Sequence, residues 1–260
     1  MNKVFVINAF TTEKFGGNPA AVVPLDAWPD KATMQLIAAQ HNLAETAFVV
    51  PEGDEFRIRW FTPTVEVDLC GHATLAAAHV YFQHLDYPAQ RIVFRSKSGP
   101  LPVSREADGK ILLDFPVNAP TQTPSLDAIV KGLGRRPEAV YLSTFDYMAV
   151  FSSQSDVQAI IPDFGAIRQI PARGLIATAK GDQVDFVSRC FFPQSGIDED
   201  PVTGSAHTVM VPYWSRILGK SSLSAIQLSP RKGYLYCALL GDRVQIGGYA
   251  KTYLEGFIYL

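Results

Sequence analysis

Arg59-Trp60-Phe61-Thr62-Pro63 returns as Arg189-Cys190-Phe191-Phe192-Pro193, 130 positions further along the chain. A glycine turn stands downstream of each copy. It reads Cys70-Gly71-His72-Ala73 in the first and Thr203-Gly204-Ser205-Ala206 in the second, 133 positions apart. Each turn follows an acidic stretch, Glu66 and Asp68 in one case and Asp198, Glu199 and Asp200 in the other. Upstream, the segment from Phe5 to Phe10 parallels Tyr141 to Phe145, and Ala20 to Val23 parallels Met148 to Phe151. One such match is expected by chance. Four in the same order at nearly one spacing identify two copies of a single unit joined head to tail.

The secondary-structure signals repeat with the motifs. Each copy opens with two β-branched or aromatic runs, then a helical pattern at 33–40 in the first and 157–164 in the second. Strands are expected at 46–50 and 56–61, and at 175–179 and 185–191. Each glycine turn then leads into a second helix. That at 74–85 is apolar nearly all round, as only a helix buried on every side is. Its counterpart is read at 207–218, with a bend at Pro212. Further strands follow at 91–95 and 111–115, and at 224–228, 235–239 and 243–246. The pattern predicts an α+β fold of two pseudo-symmetric lobes. Each is a curved, mostly antiparallel sheet or barrel wrapped around a central helix, with the active cleft where the lobes face each other. The proline-rich segment 116–124 reads as the linker, giving lobes of 1–117 and 118–249. The closing residues 250–260 read as a last strand that is open to joining either lobe.

With 260 residues, 47% of them hydrophobic and 18% charged, each half can bury a core of its own, which excludes a disordered or fibrous chain. The net charge is −2 and the basic residues are dispersed, so nucleic acid is not an expected partner. The first apolar run is too short for a signal peptide, and no continuous apolar stretch has membrane-spanning length. A soluble cytoplasmic protein without a membrane partner is expected. Three scattered cysteines (Cys70, Cys190, Cys237) suit neither a disulfide framework nor a zinc site.

The polar chemistry gathers in the paired turns. Free backbone amides at a helix start, added to the helix dipole, favour an anion, and glycine lets a ligand approach the backbone. A single such turn is usually an ordinary capped helix start. Its duplication among polar residues points instead to a site for a small carboxylate. Glu45 lies between a helical pattern and an apolar strand, where partial desolvation would suit an acid or base, although a helix-end or surface glutamate fits the pattern too. Asp200, followed by Pro201, fits either a capping role or a functional one. His72, one residue past Gly71, suits a hydrogen-bond donor or proton shuttle. Cys70 at the same helix start is a possible reactive thiol, though its side chain is expected to diverge from that of His72. His79 and His84 lack metal-ligand spacing and read as packing or surface residues.

Gly17-Asn18-Pro19-Ala20, Asn42-Leu43-Ala44-Glu45-Thr46, Asp68 to Thr74 and Glu199 to His207 together resemble the phenazine-biosynthesis-like (PhzF-like) family. The resemblance runs from the first strand to the C-terminus. It implies the diaminopimelate-epimerase type of fold, a homodimer and no cofactor, and the cysteine and histidine spacings give no reason to expect a metal. It also implies isomerisation of a small carboxylic or amino-acid-like substrate by proton transfer. The family's acid/base glutamate falls on Glu45, and its assisting histidine, aspartate and serine fall on His72, Asp200 and Ser205. Asn18, Gly71, Thr203 and Gly204 would hold the substrate.

Amino-acid epimerases of this fold type use two cysteines, one in each turn. This chain keeps Cys70 but has Thr203 opposite, and a threonine hydroxyl is far too weak a base to replace a thiolate. One-base isomerisation through Glu45 is therefore the leading expectation. A non-catalytic protein that binds or senses a small carboxylate is the alternative, and nucleophilic catalysis by Cys70 with His72 ranks behind both.

Overall fold

The computed structural model describes residues 1–53 and 55–259; Leu260, the end of the expected last strand, lies outside them. The first half runs β1 (Asn2–Ala9), β2 (Asn18–Pro24), α1 (Lys31–His41), β3 (Glu45–Glu52), β4 (Glu55–Phe61), β5 (Glu66–Val67), α2 (Gly71–His84), β6 (Arg91–Ser96), β7 (Gly99–Arg105) and β8 (Ile111–Pro116). The second begins with β9 (Thr121–Thr123), α3 (Asp127–Leu133), β10 (Ala139–Leu142), β11 (Asp146–Val150), α4 (Gln154–Gln158) and α5 (Phe164–Ile167). It continues with β12 (Gly174–Lys180), β13 (Phe186–Phe192), β14 (Ile197–Asp200), α6 (Gly204–Leu218), β15 (Ser222–Gln227), β16 (Gly233–Leu240) and β17 (Arg243–Gly248), and the chain closes with β18 (Ala250–Ile258). Two compact units result, Met1–Asp114 with Gly247–Leu260, and Phe115–Ile246.

The strand pairing duplicates step for step. In the first unit β1 runs antiparallel to β2, β2 parallel to β3, and β3 antiparallel to β4. Then β4 pairs antiparallel with β5 and parallel with β6, which pairs antiparallel with β7. In the second unit β10, β11, β12, β13, β14, β15 and β16 repeat this sequence of orientations. Even the outer flank is matched. β18 lies antiparallel on β1, and β9 lies antiparallel on β10.

The central helices are buried as their composition requires. In α2 eleven of fourteen residues are buried, and the run Leu75 to Ala78 is wholly inaccessible. Small alanines let surrounding strands approach while still removing apolar surface from water, at about 25 cal/mol per Å². In α6 ten of fifteen are buried, and the helix continues through Pro212. A second apolar layer forms in each unit. Met34, Ile37 and Ala38 of α1 pack with Val23, Phe48 and Phe61, while Ile129, Leu133, Val157 and Ile167 pack with Leu175 and Ala177.

Three expectations need correction. The helix expected at 157–164 is two short helices, α4 and α5, parted at Pro162. Proline disfavours helical geometry in the residue before it. Ser153 and Asp163 each cap a separate start, accepting from the amides of Asp156 and Ala166. The apolar period misled because both pieces press the same face into one cluster. Second, the proline-rich linker contains β9, whose Thr121, Gln122 and Thr123 pair with Leu142, Tyr141 and Val140. Third, both central helices begin three residues earlier than expected, so that Gly71 and Gly204 are their first helical residues. Among the described residues no helix is long and apolar enough to cross a membrane.

Candidate active site

In the first unit, two turns position the candidate side chains. Gly17 has φ +67°, and a Cβ there would stand 2.2 Å from the Ala9 carbonyl oxygen, so only glycine can carry the chain into β2 at Asn18. α1 ends at Asn42 in the left-handed conformation (φ 50°), its amide donating to the Ala38 carbonyl. The chain then reverses and enters β3 at Glu45, which lies beside Ala20 of the parallel β2. Asn18 and Glu45 therefore begin neighbouring strands at the same end. The Arg59 guanidinium donates to Glu66 at 2.8 Å and tethers β5, the segment that leads to Cys70 and α2.

Cys70 is the N-cap of α2, yet its side chain makes no capping hydrogen bond. Its thiol instead turns to His72, with Sγ 3.5 Å from Nδ1. The two side chains do not diverge as expected. With Gly71 in between, the extended N-cap and the first helical turn fold both onto one side. The Asn18 amide nitrogen lies 3.2 Å from the same Nδ1. An amide N–H and a thiol are both donors, so in the neutral ring Nδ1 accepts and the proton sits on Nε2. That nitrogen faces Glu45 Oε2 at 3.1 Å. The contact has ion-pair distance without hydrogen-bond alignment, and among the described residues neither buried atom has a hydrogen-bond partner.

Burial opposes a charged imidazole at His72, but the charge of Glu45 beside it favours one, and His72 is held well above its ordinary range. Burial, reinforced by the Glu45 charge, pushes the Cys70 thiol up. At neutral pH the thiol therefore keeps its proton. Donor atoms of Glu45, Cys70 and His72 all lie within 4.8 Å of one another, close enough in distance for a metal ion. The ring, however, gives Nδ1 to the thiol and Nε2 to the carboxylate, so no single nitrogen faces both. The arrangement suits passing a proton along a line better than closing around a cation.

The second unit builds its turn differently on the same scaffold. Thr203 is the N-cap of α6, again without a side-chain cap, because its hydroxyl donates to Asp200 Oδ2 at 2.6 Å. Gln227, fully buried, accepts from the Thr203 amide at 2.8 Å and donates to the Asp200 carbonyl at 2.7 Å. Ser205, in the first turn of α6, accepts from Arg173 Nη2 at 3.2 Å. Arg173 is gripped by the fully buried Asp146, with Nε 2.9 Å from Oδ1 and Nη2 2.5 Å from Oδ2.

The repeat carries structural pairs as well. Arg189 grips Glu199 as Arg59 grips Glu66, and each guanidinium lies 5.2 Å from a phenyl ring, Phe191 or Phe61. These acids fasten strands and stand apart from the chemistry. Inside the helices, Thr74 Oγ1 bonds the Cys70 carbonyl and His207 Nδ1 bonds the Thr203 carbonyl, one helical turn back in each case. Asn18, Glu45, Cys70, Gly71 and His72 thus assemble in one unit, and Asp200, Thr203, Gly204 and Ser205 in the other. Sequence reasoning missed Arg173 and Gln227, which lie outside the repeated motifs.

The family model for phenazine biosynthesis-like proteins matches residues 7–256. The chain belongs to the phenazine biosynthesis-like family. An uncharacterized isomerase of Pseudomonas aeruginosa is 52% identical over 98% of this chain and 97% of its own length. Another, from Halalkalibacterium halodurans, is 44% identical over 99% and 98%. The crystal structure of a PhzF-family protein of Enterococcus faecalis superposes with a TM-score of 0.97 at 45% identity, covering 100% of this chain and 99% of that one. The resemblance seen in the motifs therefore extends to the whole fold, and the family is of isomerase type.

Proposed function

We propose that this protein is a cofactor-independent isomerase that moves a proton on a small carboxylic or amino-acid-like substrate, with Glu45 as both acid and base. The observation that carries the reading is the buried contact of Glu45 Oε2 with His72 Nε2, neither atom having a hydrogen-bond partner among the described residues. Catalytic hydrogen bonds are often poorly aligned without substrate and tighten when it binds. Glu45 takes a proton from a carbon next to an unsaturated bond. The electron pair left behind shifts that bond along the substrate, and Glu45 returns the proton to the carbon at its far end. Bonds and charge balance without an oxidant or a second reactant. His72 stabilises the carboxylate before and after transfer. The amides at the uncapped start of α2, at Gly71, stabilise developing negative charge, and Asn18 steadies the imidazole. Asp200, Thr203, Gly204 and Ser205 orient the substrate.

The test is a panel of small carboxylic and amino acids incubated with protein in heavy water, with deuterium uptake followed by mass spectrometry beside a Glu45→Gln variant. Uptake into one class of compound, lost in the variant while the fold persists, is the expected result. Turnover that survives Glu45→Gln overturns the assignment of the base. Tight carboxylate binding with no proton exchange and no isomerised product points instead to a binding protein.

A further inference from the structure

We infer that Arg173 is the carboxylate receptor of the C-terminal unit, its guanidinium held by Asp146 and presented beside Ser205 at the start of α6. This deepens the isomerase reading and rests on it only for the identity of the ligand as substrate. Two guanidinium nitrogens are committed. Nε and Nη2 bind the two oxygens of Asp146, and Nη2 also reaches the Ser205 hydroxyl. The third, Nη1, makes no hydrogen bond or ion pair among the described residues. The Arg173 side chain is 37% exposed, whereas that of its partner Asp146 is 1% exposed. An arginine serving only to neutralise a buried carboxylate has no need of an open edge. Here one edge is anchored in the protein, the other is uncommitted among the described residues, and the side chain is partly exposed.

The surroundings fix that edge. Phe192 and Phe145 lie 5.1 and 5.8 Å from the guanidinium carbon, which holds the planar group by cation–π contact. The Arg173 amide also donates to the Phe145 carbonyl at 2.7 Å. At the next residue, Gly174, a Cβ would come within 2.1 Å of the Phe192 ring, so glycine is what allows the ring beside Arg173. A guanidinium immobilised before the ligand arrives loses little side-chain entropy on binding. Ser205 accepts from Arg173, so its own hydroxyl proton points elsewhere and is available to an acceptor. Arg173 Nη1–H and Ser205 Oγ–H make a two-donor face. A carboxylate, with two oxygens in one plane, is the anion that such a face matches.

The test uses acetate, benzoate and cyclohexanecarboxylate, each paired with its neutral amide, with affinities measured by calorimetry on the full chain. At least one acid is expected to bind the wild type about tenfold or more tightly than its amide, and Arg173→Gln to bring that ratio to within about twofold, since a lost bond to a charged group costs about 10- to 100-fold. Arg173→Lys, which still neutralises Asp146, guards against a variant that fails to fold and is expected to lose most of the preference. No preference for acid over amide in the wild type, or a preference that survives in a folded Arg173→Gln or Arg173→Lys, overturns the inference. Its failure is separable from that of the isomerase reading. Deuterium exchange with an unchanged KM in Arg173→Gln removes this role alone, while an Arg173-dependent acid preference without any exchange removes only the isomerase.

Discussion

Gln227 offers the sharpest stability test of how the second turn is held. It lies at the end of β15, fully buried, and makes three hydrogen bonds, to the Thr203 amide at 2.8 Å, the Asp200 carbonyl at 2.7 Å and the Thr203 hydroxyl at 3.2 Å. Gln227→Met keeps the length and most of the volume but removes every one of them. The Thr203 amide loses its acceptor inside the protein, and the Asp200 carbonyl loses a donor. Each buried group deprived of its partner costs about 1–3 kcal/mol. The Thr203 hydroxyl keeps Asp200, so its loss is small. The sum is about 2–6 kcal/mol. Urea unfolding followed by tryptophan fluorescence reads this as a midpoint shift of roughly 1–2 M at an unchanged slope. Gln227→Glu refines the result. It retains an acceptor for the Thr203 amide but introduces a carboxylate near that of Asp200. It should therefore be destabilised at pH 7 and partly recover as pH falls and one carboxyl protonates. A Gln227→Met protein within about 0.5 kcal/mol of wild type would refute the reasoning and mean that the turn is held by packing alone.

Three further outcomes are expected. The Arg59 guanidinium, with Lys31 and Lys97, lowers Glu66 to about 2 from 4.5, so its contribution is complete above pH 4.5 and is lost as pH falls toward 2. The shift corresponds to at most about 3 kcal/mol, and Glu66→Gln should cost most of that at pH 7 and almost nothing at pH 2 in chemical denaturation. Burial lowers His207 to about 4, so the unfolded chain takes up its proton near 6.5 before the folded one does. Stability should then drain as pH drops from 6.5 to 4, with the His207 ring seen neutral by NMR down to about pH 4; a charged ring at pH 6 would contradict the burial. Cys70, Cys190 and Cys237 are all buried with thiols pushed up by that burial. Ellman's reagent at pH 7.5 should label them slowly in the native protein and all three at once after unfolding. Rapid labelling of native Cys70 that abolishes activity would revive nucleophilic catalysis.

The duplicated architecture was legible because the repeat lies in positions that packing cannot vary freely. The Arg on β4 and β13, the aromatic two residues on, and the glycine that opens each central helix all recur. The family membership was legible for the same reason. What escaped were contacts made by isolated residues of ordinary type. Nothing near Gln227 marks it as a clamp, because a glutamine at a strand end is normally solvated. Arg173 stands before a strand in a stretch without periodicity, and its partner Asp146 is 27 residues away. The proximity of Cys70 to His72 was misjudged for a geometric reason. A two-residue spacing separates side chains within a helix, but here one member is an extended N-cap with φ −145°.

Seen across the repeat, the fold is symmetric and the chemistry is not. Both central helices start uncapped by their N-cap side chains, so both offer amides to a ligand. In the first unit the N-cap is a thiol that leans on an imidazole, and the imidazole leans on a carboxylate. In the second the N-cap is a hydroxyl tied to an aspartate, and the aspartate's backbone is tied to a glutamine. A hydroxyl already donating to a carboxylate cannot act as a base near neutral pH, whatever faces it. Nor can the buried thiol readily become a thiolate while the Glu45 charge stands nearby. Racemisation by a pair of thiolates is therefore blocked twice, once by residue identity at Thr203 and once by electrostatics at Cys70. Restoring a thiol in the second turn, by Thr203→Cys, would remove only the first block. That variant should gain no racemase activity toward amino acids while Glu45 and the burial of Cys70 remain. Measurable racemisation by Thr203→Cys alone would mean that the Cys70 thiol ionises more readily than its surroundings allow.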